Sequence, residues 1–431
     1  MPHNTYRAGL VLLALLAFPV LHAQFNTYSP YTRFGLGDLA HDGFGQNLAM
    51  GGTGLAIHES NRINYLNPAA FAALDSMSVY FDFGANSFHN QYRTTNMSNS
   101  WWNMNLHHVA FASAMGKHMG FSAGVVPYSS IGYNIKQQYD DVATGTALDA
   151  SNTGDGGIMN FYVGTALKVF DRVSVGVTMN YLLGRLIREQ EVTMPTLSQW
   201  SAHYTENFDL RKPVFELGIQ YTETFGEKFF FTLGATHVLE TVIDAQTNSE
   251  LVNTVYQYNS VGFNDTLIID PSYLLGQDTI QSTFTLPAKT GVGLALGIPG
   301  KLILTGDYYR QDWSGALSGY NYETTAASSL HLGAEFTPDR EALRGYHKLM
   351  TYRLGAYKSA SYLSVNGQQI EDLGITFGLG MPVRSMKSSL NVAFTLGSRG
   401  TTEYNLVKEN YGIITFNVTL HDLWFRKRIY D

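Results

Sequence analysis

The stretch that decides the fold is residues 373–381, which read LGITFGLGM. Every second residue is large and apolar and the residues between are small: Leu373, Ile375, Phe377, Leu379 and Met381 alternate with Gly374, Thr376, Gly378 and Gly380. An alternation with a period of two predicts a β-strand with one apolar face and one small or polar face. The stretch is also about as long as a tilted strand that crosses a bilayer.

Fourteen segments of the chain carry this alternation. They are centred on 77–85, 105–115, 119–135, 156–170, 173–188, 206–222, 229–239, 283–297, 302–309, 328–337, 350–360, 370–381, 388–397 and 411–425. Short connections, such as 116–118 and 171–172, alternate with long polar stretches, such as 86–104 and 240–282. Bacterial outer-membrane barrels have an even number of strands, short turns at one end and long loops at the other. The sequence therefore predicts an all-β fold, a 14-stranded antiparallel transmembrane β-barrel, over a large soluble β-sandwich.

The composition agrees with a membrane barrel and excludes other classes of protein. Of the 431 residues, 45% are hydrophobic and only 15% are charged, against about 25% charged in soluble domains. The net charge of -7 argues against nucleic acid as a partner. Because the chain has no cysteine, disulfides, thiolate nucleophiles and cysteine metal sites are excluded.

The first 23 residues predict a secretory signal peptide. Arg7 supplies the positive charge, Leu10 to Leu21 form an apolar core, and the residues up to Ala23 resemble a cleavage site. The core is too short for a transmembrane anchor, which needs roughly 20 residues. We therefore expect export to the outer membrane of a diderm bacterium, with three regions: a signal peptide at 1–23, an N-terminal hatch (plug) segment at 24–76 and the barrel at 77–431.

The hatch segment precedes the first alternating strand and does not alternate itself. It contains the glycine-rich run with Gly51, Gly52 and Gly54, followed by Asn67 and Pro68. Asn67 is a good N-cap and proline suits the first helical position, so a short helix is predicted to about Leu74. A segment of this length and composition is a candidate plug for the barrel lumen.

The small residues of the strands face inward if the large apolar ones face lipid. Glycines on that face include Gly293, Gly333, Gly378 and Gly380. Glycine in a strand marks either curvature or the close approach of another backbone, so the lumen is either simply less crowded or occupied. Charged residues fall on the same face, namely Asp82, Glu216, Asp307, Glu335 and Arg353. They either line a pore or anchor a plug.

The chain resembles the FadL/TodX family of outer-membrane transport proteins. The matching residues are Ala49-Met50-Gly51-Gly52-Thr53-Gly54-Leu55-Ala56, then Asn67-Pro68-Ala69-Ala70-Phe71-Ala72-Ala73-Leu74 before a first strand at Met77, and Leu286-Pro287 shortly before Gly291-Val292-Gly293-Leu294-Ala295. The resemblance implies a 14-stranded barrel with an N-terminal hatch in its lumen. It also implies passive uptake of long-chain fatty acids or aromatic hydrocarbons, released through a lateral opening at a kink in the third strand.

The third segment carries a proline where such a kink would lie. Pro127 cannot donate to a β-ladder, so a break or bulge is expected there, and Pro127, Tyr128 and Gly132 are the candidate residues of a lateral opening. The alternative is that Pro127 marks the rim where the strand leaves the membrane.

The predicted function is an outer-membrane channel for hydrophobic small molecules. The expected partners are outer-membrane lipid and a hydrophobic ligand, with no nucleic acid. The alternative is a non-transport barrel subunit of an outer-membrane secretion or assembly complex, which would bind other outer-membrane proteins. No catalytic residue, cofactor or metal site is predicted, since G-x-S-x-G is absent and His107 and His108, adjacent on a strand, should point to opposite faces.

Overall fold

A computed structural model describes residues 29–41, 43–140, 147–193, 200–226, 228–255, 274–319, 322–383 and 385–424. The predicted signal peptide at 1–23 and the C-terminal residues 425–431 lie outside this part of the chain. Within it, no helix has the length and apolar character needed to cross a membrane.

The described residues form twenty strands. In chain order they are β1 (Asp38–Leu39), β2 (Ser78–Arg93), β3 (Ser98–Ala114), β4 (Met119–Ser130), β5 (Tyr133–Asp140), β6 (Ala147–Phe170), β7 (Val173–Thr193), β8 (Trp200–Phe225), β9 (Phe229–Val238), β10 (Thr241–Val255), β11 (Leu274–Leu286), β12 (Lys289–Ile298), β13 (Leu302–Asp312), β14 (Ser318–Gly319), β15 (Tyr322–Thr324), β16 (Ala326–Phe336), β17 (Thr351–Val365), β18 (Gln368–Val383), β19 (Ser385–Arg399) and β20 (Lys408–Leu423).

These strands build a closed antiparallel barrel whose wall has fourteen strands. Five wall strands are interrupted and consist of two pieces each, namely β4 with β5, β9 with β10, β11 with β12, β13 with β14, and β15 with β16. Each wall strand pairs with the next along the chain, and β20 pairs with β2 to close the barrel. Each of the fourteen segments predicted from the alternation falls on one wall strand, so the predicted fold is confirmed.

The two faces of the wall differ as the alternation predicts. On β18 the side chain of Ile375 is 55% exposed on the outer face, whereas its neighbour Thr376 is 1% exposed on the inner face. The same holds for Phe416 and Val418 against Thr415 and Asn417 on β20. A continuous apolar outer face is the surface of a barrel embedded in lipid, since a soluble protein does not expose one of this size.

The long polar stretches were wrongly predicted as loops over much of their length. Strand β2 runs on to Arg93 and β3 begins at Ser98, so most of 86–104 is paired. Likewise β10 and β11 pair with each other over much of 240–282. A backbone ladder needs no apolar face, so the strands continue where the alternation ends.

Residues 29–76, hereafter the N-terminal segment, contact the inner face of the wall. They contain 3₁₀ helices at Pro30–Arg33 and Pro68–Ala73, a short helix α1 (Gly45–Leu48) and the strand β1. The helix predicted after Asn67 is present as the second 3₁₀ helix, and the Asn67 side chain accepts the Ala69 N–H at 3.0 Å. Outside this segment lie the helix α2 (Tyr346–Leu349) and a 3₁₀ turn at Glu403–Asn405.

Candidate functional site

The inward-facing glycines of the wall lie against the N-terminal segment. A Cβ atom built on Gly355 would lie 2.2 Å from the Gly51 nitrogen, and one on Gly333 would lie 2.6 Å from the Met50 carbonyl oxygen. A Cβ on Gly234 would lie 2.0 Å from the Leu55 carbonyl oxygen. Any side chain at these positions would collide with backbone, so glycine permits the close approach.

The other lumen glycines named from the sequence divide into two groups. A Cβ on Gly378 would lie 2.6 Å from the Ala49 Cβ, and one on Gly293 would lie 2.8 Å from the Leu55 Cβ as well as 2.3 Å from Asp307 Oδ1 of the wall. Gly380 differs, because its space is limited by Arg353 and Asn391 of the wall rather than by the N-terminal segment.

The residues named for a hatch lie at these contacts. Gly51 and Gly52 have φ of 70° and 82°, which only glycine adopts readily. Gly51 donates to the Thr376 hydroxyl at 2.8 Å, and Gly54 donates to Asp307 at 2.6 Å. Next to Pro68, the side-chain amide of Asn67 donates to the Leu55 carbonyl at 2.8 Å.

Buried charges join the N-terminal segment to the wall. Asp307 accepts the Gly54 N–H and also the Leu55 N–H, at 2.9 Å. Glu335 accepts from Arg62 at 2.7 and 2.8 Å and from Arg353 of the neighbouring strand at 2.8 Å. Of the inward charges seen in the sequence, Asp307 and Glu335 therefore bind this segment directly, and Arg353 supports Glu335.

One histidine of the N-terminal segment, His58, is buried against β8 in its neutral form. The His58 Nδ1–H donates to the Gln220 side chain at 2.8 Å. Burial lowers the pKa of His58, and the contact with Gln220 opposes that shift without cancelling it. No buried imidazolium is therefore needed to hold residues 55–58 against β8.

The wall has a gap in its backbone ladder between β3 and β4. The last pair is Val109 with Val125, although β3 continues for eleven residues beyond it, to Ser98. The Met115 N–H donates to the Met119 carbonyl, so alternate residues of β4 from Met119 onward direct their hydrogen-bonding groups to β3. Pro127 is the next of these residues, and it lacks an N–H. The ladder therefore ends at the position where its next donor is missing.

Of the residues named for a lateral opening, Pro127 lies just beyond the part of β4 that pairs with β3, Tyr128 follows it, and Gly132 lies beyond the end of β4. The register between β4 and β6 shifts between Pro127 and Ser129, so Tyr128 is the extra residue of a β-bulge. Gly132 lies between β4 and β5, where it accepts the Ser29 N–H at 2.8 Å and donates to the Thr32 hydroxyl at 3.2 Å.

Strand β1 of the N-terminal segment occupies the edge of β4 that β3 has left. Asp38 pairs with Ser130 and Leu39 with Ser129, and the Ala40 N–H donates to the Tyr128 carbonyl at 3.0 Å. The exposed edge of β4 is thereby satisfied by the N-terminal segment rather than by a wall strand.

A cavity of about 480 Å³ lies between the N-terminal segment and the wall at this gap. Its apolar lining residues are Leu39, Leu48, Phe88, Met104, Leu106, Pro127, Met159 and Ile413, and its imidazoles are His41, His107 and His331. Leu106 is 69% exposed on the outer wall and yet lines the cavity. The cavity therefore reaches the outer surface past the edge of β3.

The prediction that His107 and His108 point to opposite faces was wrong. Between Gly84 and Ala85 the register of β2 against β3 shifts, so His107 is the extra residue of a β-bulge. A bulge breaks the alternation. Both rings are buried, and their Nδ1 atoms lie 2.8 Å apart. Even so, no cluster of three or more potential ligands suited to a metal ion occurs in the described part of the chain.

Sequence reasoning missed the cavity residues His41, His107 and Leu106. The bulge is set by tertiary contacts and leaves no pattern in the sequence. The available signal was Pro127, whose missing N–H marks the end of the ladder opposite His107.

A family model covers almost the whole sequence. The model described as BamG matches residues 6–431. The chain belongs to the BamG family. A comparison of this BamG-family chain with curated proteins gives no match.

Solved structures with the same fold are channels and transporters. The toluene transporter TodX of Pseudomonas putida matches with a TM-score of 0.59 and 14% identity, over 90% of this chain and 100% of that one. A FadL homologue of Pseudomonas aeruginosa gives 0.58 and 11%, over 90% and 99%. The toluene transporter TbuX of Ralstonia pickettii gives 0.55 and 15%, over 88% and 98%. The resemblance to FadL/TodX proteins is thus confirmed for the fold, while the family shown is BamG.

Proposed function

We propose that this BamG-family chain is an outer-membrane channel for passive uptake of hydrophobic small molecules, of the fatty-acid or aromatic-hydrocarbon class. The observation that carries the proposal is the largely apolar cavity that reaches the outer wall beside Leu106 and Pro127. A cavity of this volume and character suits a small apolar ligand. The toluene transporters and the FadL homologue that share the fold support the same class of function.

The proposed route leaves the lumen sideways. The ladder between β3 and β4 stops at Val109 and Val125, and the outer face beyond them is apolar. A solute in the cavity would pass Pro127, Tyr128 and Gly132 and enter the bilayer without crossing the rest of the lumen. We assign this chain transport rather than catalysis, and export by the signal peptide at 1–23 to the outer membrane of a diderm bacterium.

The proposed hatch is residues 24–76, and the N-terminal segment, residues 29–76, is the part of it that the structure describes. Support comes from the wall glycines, which let the backbone of this segment approach closely, and from its hydrogen bonds to Asp307 and Glu335. Uptake then requires local release of this segment, and β1 is the part nearest the gap. In the proposal, β1 leaves β4 to let a ligand through.

Flux through the full-length mature protein tests the proposal. The membrane is an asymmetric vesicle with lipopolysaccharide in its outer leaflet, which slows hydrophobic solutes, and the probes are decanoic acid and toluene. We expect flux of one or both probes above protein-free vesicles without an energy source. Absence of flux, together with a stoichiometric protein partner on purification in mild detergent, would overturn the channel and favour a subunit of a larger complex.

An engineered disulfide tests the role of β1. Leu39 and Ser129 are paired, and the neighbouring Ala40 to Tyr128 hydrogen bond makes theirs a non-hydrogen-bonded pair, with Cα atoms about 4.5 Å apart. The chain has no other cysteine. We expect oxidised L39C/S129C to lose most of its flux and reduction to restore it. The control pair L354C/F377C, on the outer face of β17 and β18, should behave like the parent.

A further inference from the structure

A chain of buried hydrogen bonds leads from the wall to the cavity. The Asp82 carboxylate accepts hydrogen bonds from His108 Nε2 at 2.7 Å and from the Thr419 hydroxyl at 2.6 Å. The side-chain amide of Asn417 also donates to it. His108 then contacts His107 through their Nδ1 atoms. From the N-terminal segment, Phe44 stacks on the His108 ring with centroids 3.9 Å apart. The far end of this chain, His107, lines the cavity.

The hydrogen bonds fix what His107 presents to a ligand. Because Asp82 accepts, His108 Nε2 carries a proton. If the pair of imidazoles is neutral, His108 Nδ1 accepts from His107 Nδ1–H, and His107 Nε2 is a bare acceptor. If the pair holds one further proton, His107 Nε2–H is a donor, and Asp82 compensates the charge. His107 Nε2 can therefore bind a carboxyl group in either state. It accepts a hydrogen bond from a carboxylic acid when neutral, and it donates one to a carboxylate when protonated.

The surroundings of His107 are suited to an amphipathic molecule. His107 is 6% exposed, and no described residue hydrogen-bonds its Nε2. His331, on the other side of the cavity, has both nitrogens engaged, by the Gly51 carbonyl and the Ser329 hydroxyl. The cavity lining includes the polar residues Asp38, His41 and Asn105, and the apolar residues Met104, Leu106 and Pro127 lie toward the gap. The His107 Nε2 atom therefore lies in the same cavity as apolar residues that continue to the outer wall.

We propose that the cavity binds an amphipathic ligand with a single carboxyl head, which His107 Nε2 holds while the hydrocarbon part lies toward Leu106 and the gap. The inference rests on the proposed uptake function and selects the carboxylic acid over the plain hydrocarbon. Asp82 and His108 act as positioning residues, because they set the proton on His107 without touching the ligand.

Calorimetric titration of the detergent-solubilised full-length protein tests this assignment, with decanoic acid and methyl decanoate as probes. The two share their hydrocarbon chain and differ in the head. We expect the acid to bind more tightly than the ester. His107→Phe should weaken the acid by about tenfold to a hundredfold, the range of a hydrogen bond to a charged group, and leave the ester unchanged.

Three further variants complete the test. His107→Gln keeps a hydrogen-bonding side chain and should retain part of the preference for the acid. Asp82→Asn should weaken the acid but not the ester, which a merely structural role would not produce. His237→Phe is the matched control, since His237 is exposed on β9 away from the cavity and should change neither affinity. If His107→Phe fails to fold, the Gln and Asp82 variants carry the test.

The outcomes separate the two proposals. If neither probe binds the parent protein, the uptake function fails and this inference fails with it. If both probes bind equally and the His107 variants change neither affinity, uptake stands and the carboxyl assignment is overturned.

Discussion

The N-terminal segment meets the barrel in two layers, an upper layer of residues 29–36 and a lower layer of residues 43–76, and the lower layer adds a buried ion cluster to its apolar packing. In the layer of residues 29–36, Tyr31, Phe34 and Leu36 join a buried apolar cluster with wall residues such as Trp313 and Tyr362. In the layer of residues 43–76, Phe44 and Phe71 also join a buried apolar cluster with the wall. This layer has, in addition, hydrogen bonds and buried ions with Asp307 and Glu335 as the wall partners. The cavity lies between the two layers.

The difference shows what defines the position of the segment in the barrel. Apolar packing is non-directional and stabilises without defining one register. A buried carboxylate with two arginines is satisfied in only one arrangement and is costly when a partner is lost. The buried ion cluster of the lower layer therefore defines where the segment sits, and the upper layer continues into β1 at the gap.

The largest effect is expected from Glu335→Ala in the lower layer. The change leaves the guanidinium groups of Arg62 and Arg353 buried without their shared carboxylate. Loss of one member of a buried ion cluster costs about 3–5 kcal/mol. The free energy of unfolding, measured by urea denaturation in phospholipid vesicles, should fall by that amount.

An exposed ion pair is the matched control for Glu335. Glu371 pairs with Lys358 at 3.2 Å, with both side chains about 60% exposed. Glu371→Ala should cost under about 1 kcal/mol. Equal losses for the two variants would show that the lower layer is not defined by its buried charges.

A smaller effect is expected from Gly355→Ala, which adds one methyl group where the wall meets Gly51. The new Cβ would lie 2.2 Å from the Gly51 nitrogen and 2.3 Å from the Met50 carbonyl carbon, so the backbone must move. Overpacking of this kind costs about 1–3 kcal/mol. Amide hydrogen exchange of residues 49–55 should rise along with the loss of stability.

Gly412→Ala is the control for that substitution. Gly412 also lies on a wall strand, but its nearest contact would be the Leu396 Cδ2 at 3.6 Å, which is ordinary van der Waals distance. Its exchange pattern should match the parent protein. A similar rise in hydrogen exchange for both alanine variants would indicate a general loss of wall stability rather than a loss of the contact between Gly355 and the N-terminal segment.

The wall was predictable because lipid imposes one chemical rule on every strand. The period of two in residues 373–381 fixes which side chains face out, and the structure repeats it around the barrel. Pairing beyond the membrane follows no such rule, so the continuation of β2 to Arg93 left no signal. Asn67 and Pro68 predicted their helix because capping is a local property.

The cavity was not predictable for the opposite reason. His107 reaches the lumen only through a bulge, and the bulge depends on the register of β2 against β3. Leu39 and Ser129 are distant in sequence and pair through backbone atoms. Because backbone atoms are the same in nearly every residue, this pairing leaves no pattern in the sequence. Only Pro127 indicated the gap from the sequence, since proline is known to lack the backbone N–H.

The smallest effect tests the upper layer, through Tyr31→Phe. The Tyr31 hydroxyl donates to the Val407 carbonyl at 2.6 Å and accepts the Val407 N–H at 3.2 Å, and burial raises the pKa of this phenol to about 12, so it stays neutral. Removing the oxygen keeps the ring packed and should cost about 1 kcal/mol. Hydrogen exchange should rise in residues 29–36 and stay unchanged in 43–76, with Tyr139→Phe, an exposed position, as control. If exchange rises equally in both layers, they release as one unit, and the upper layer cannot open β1 by itself.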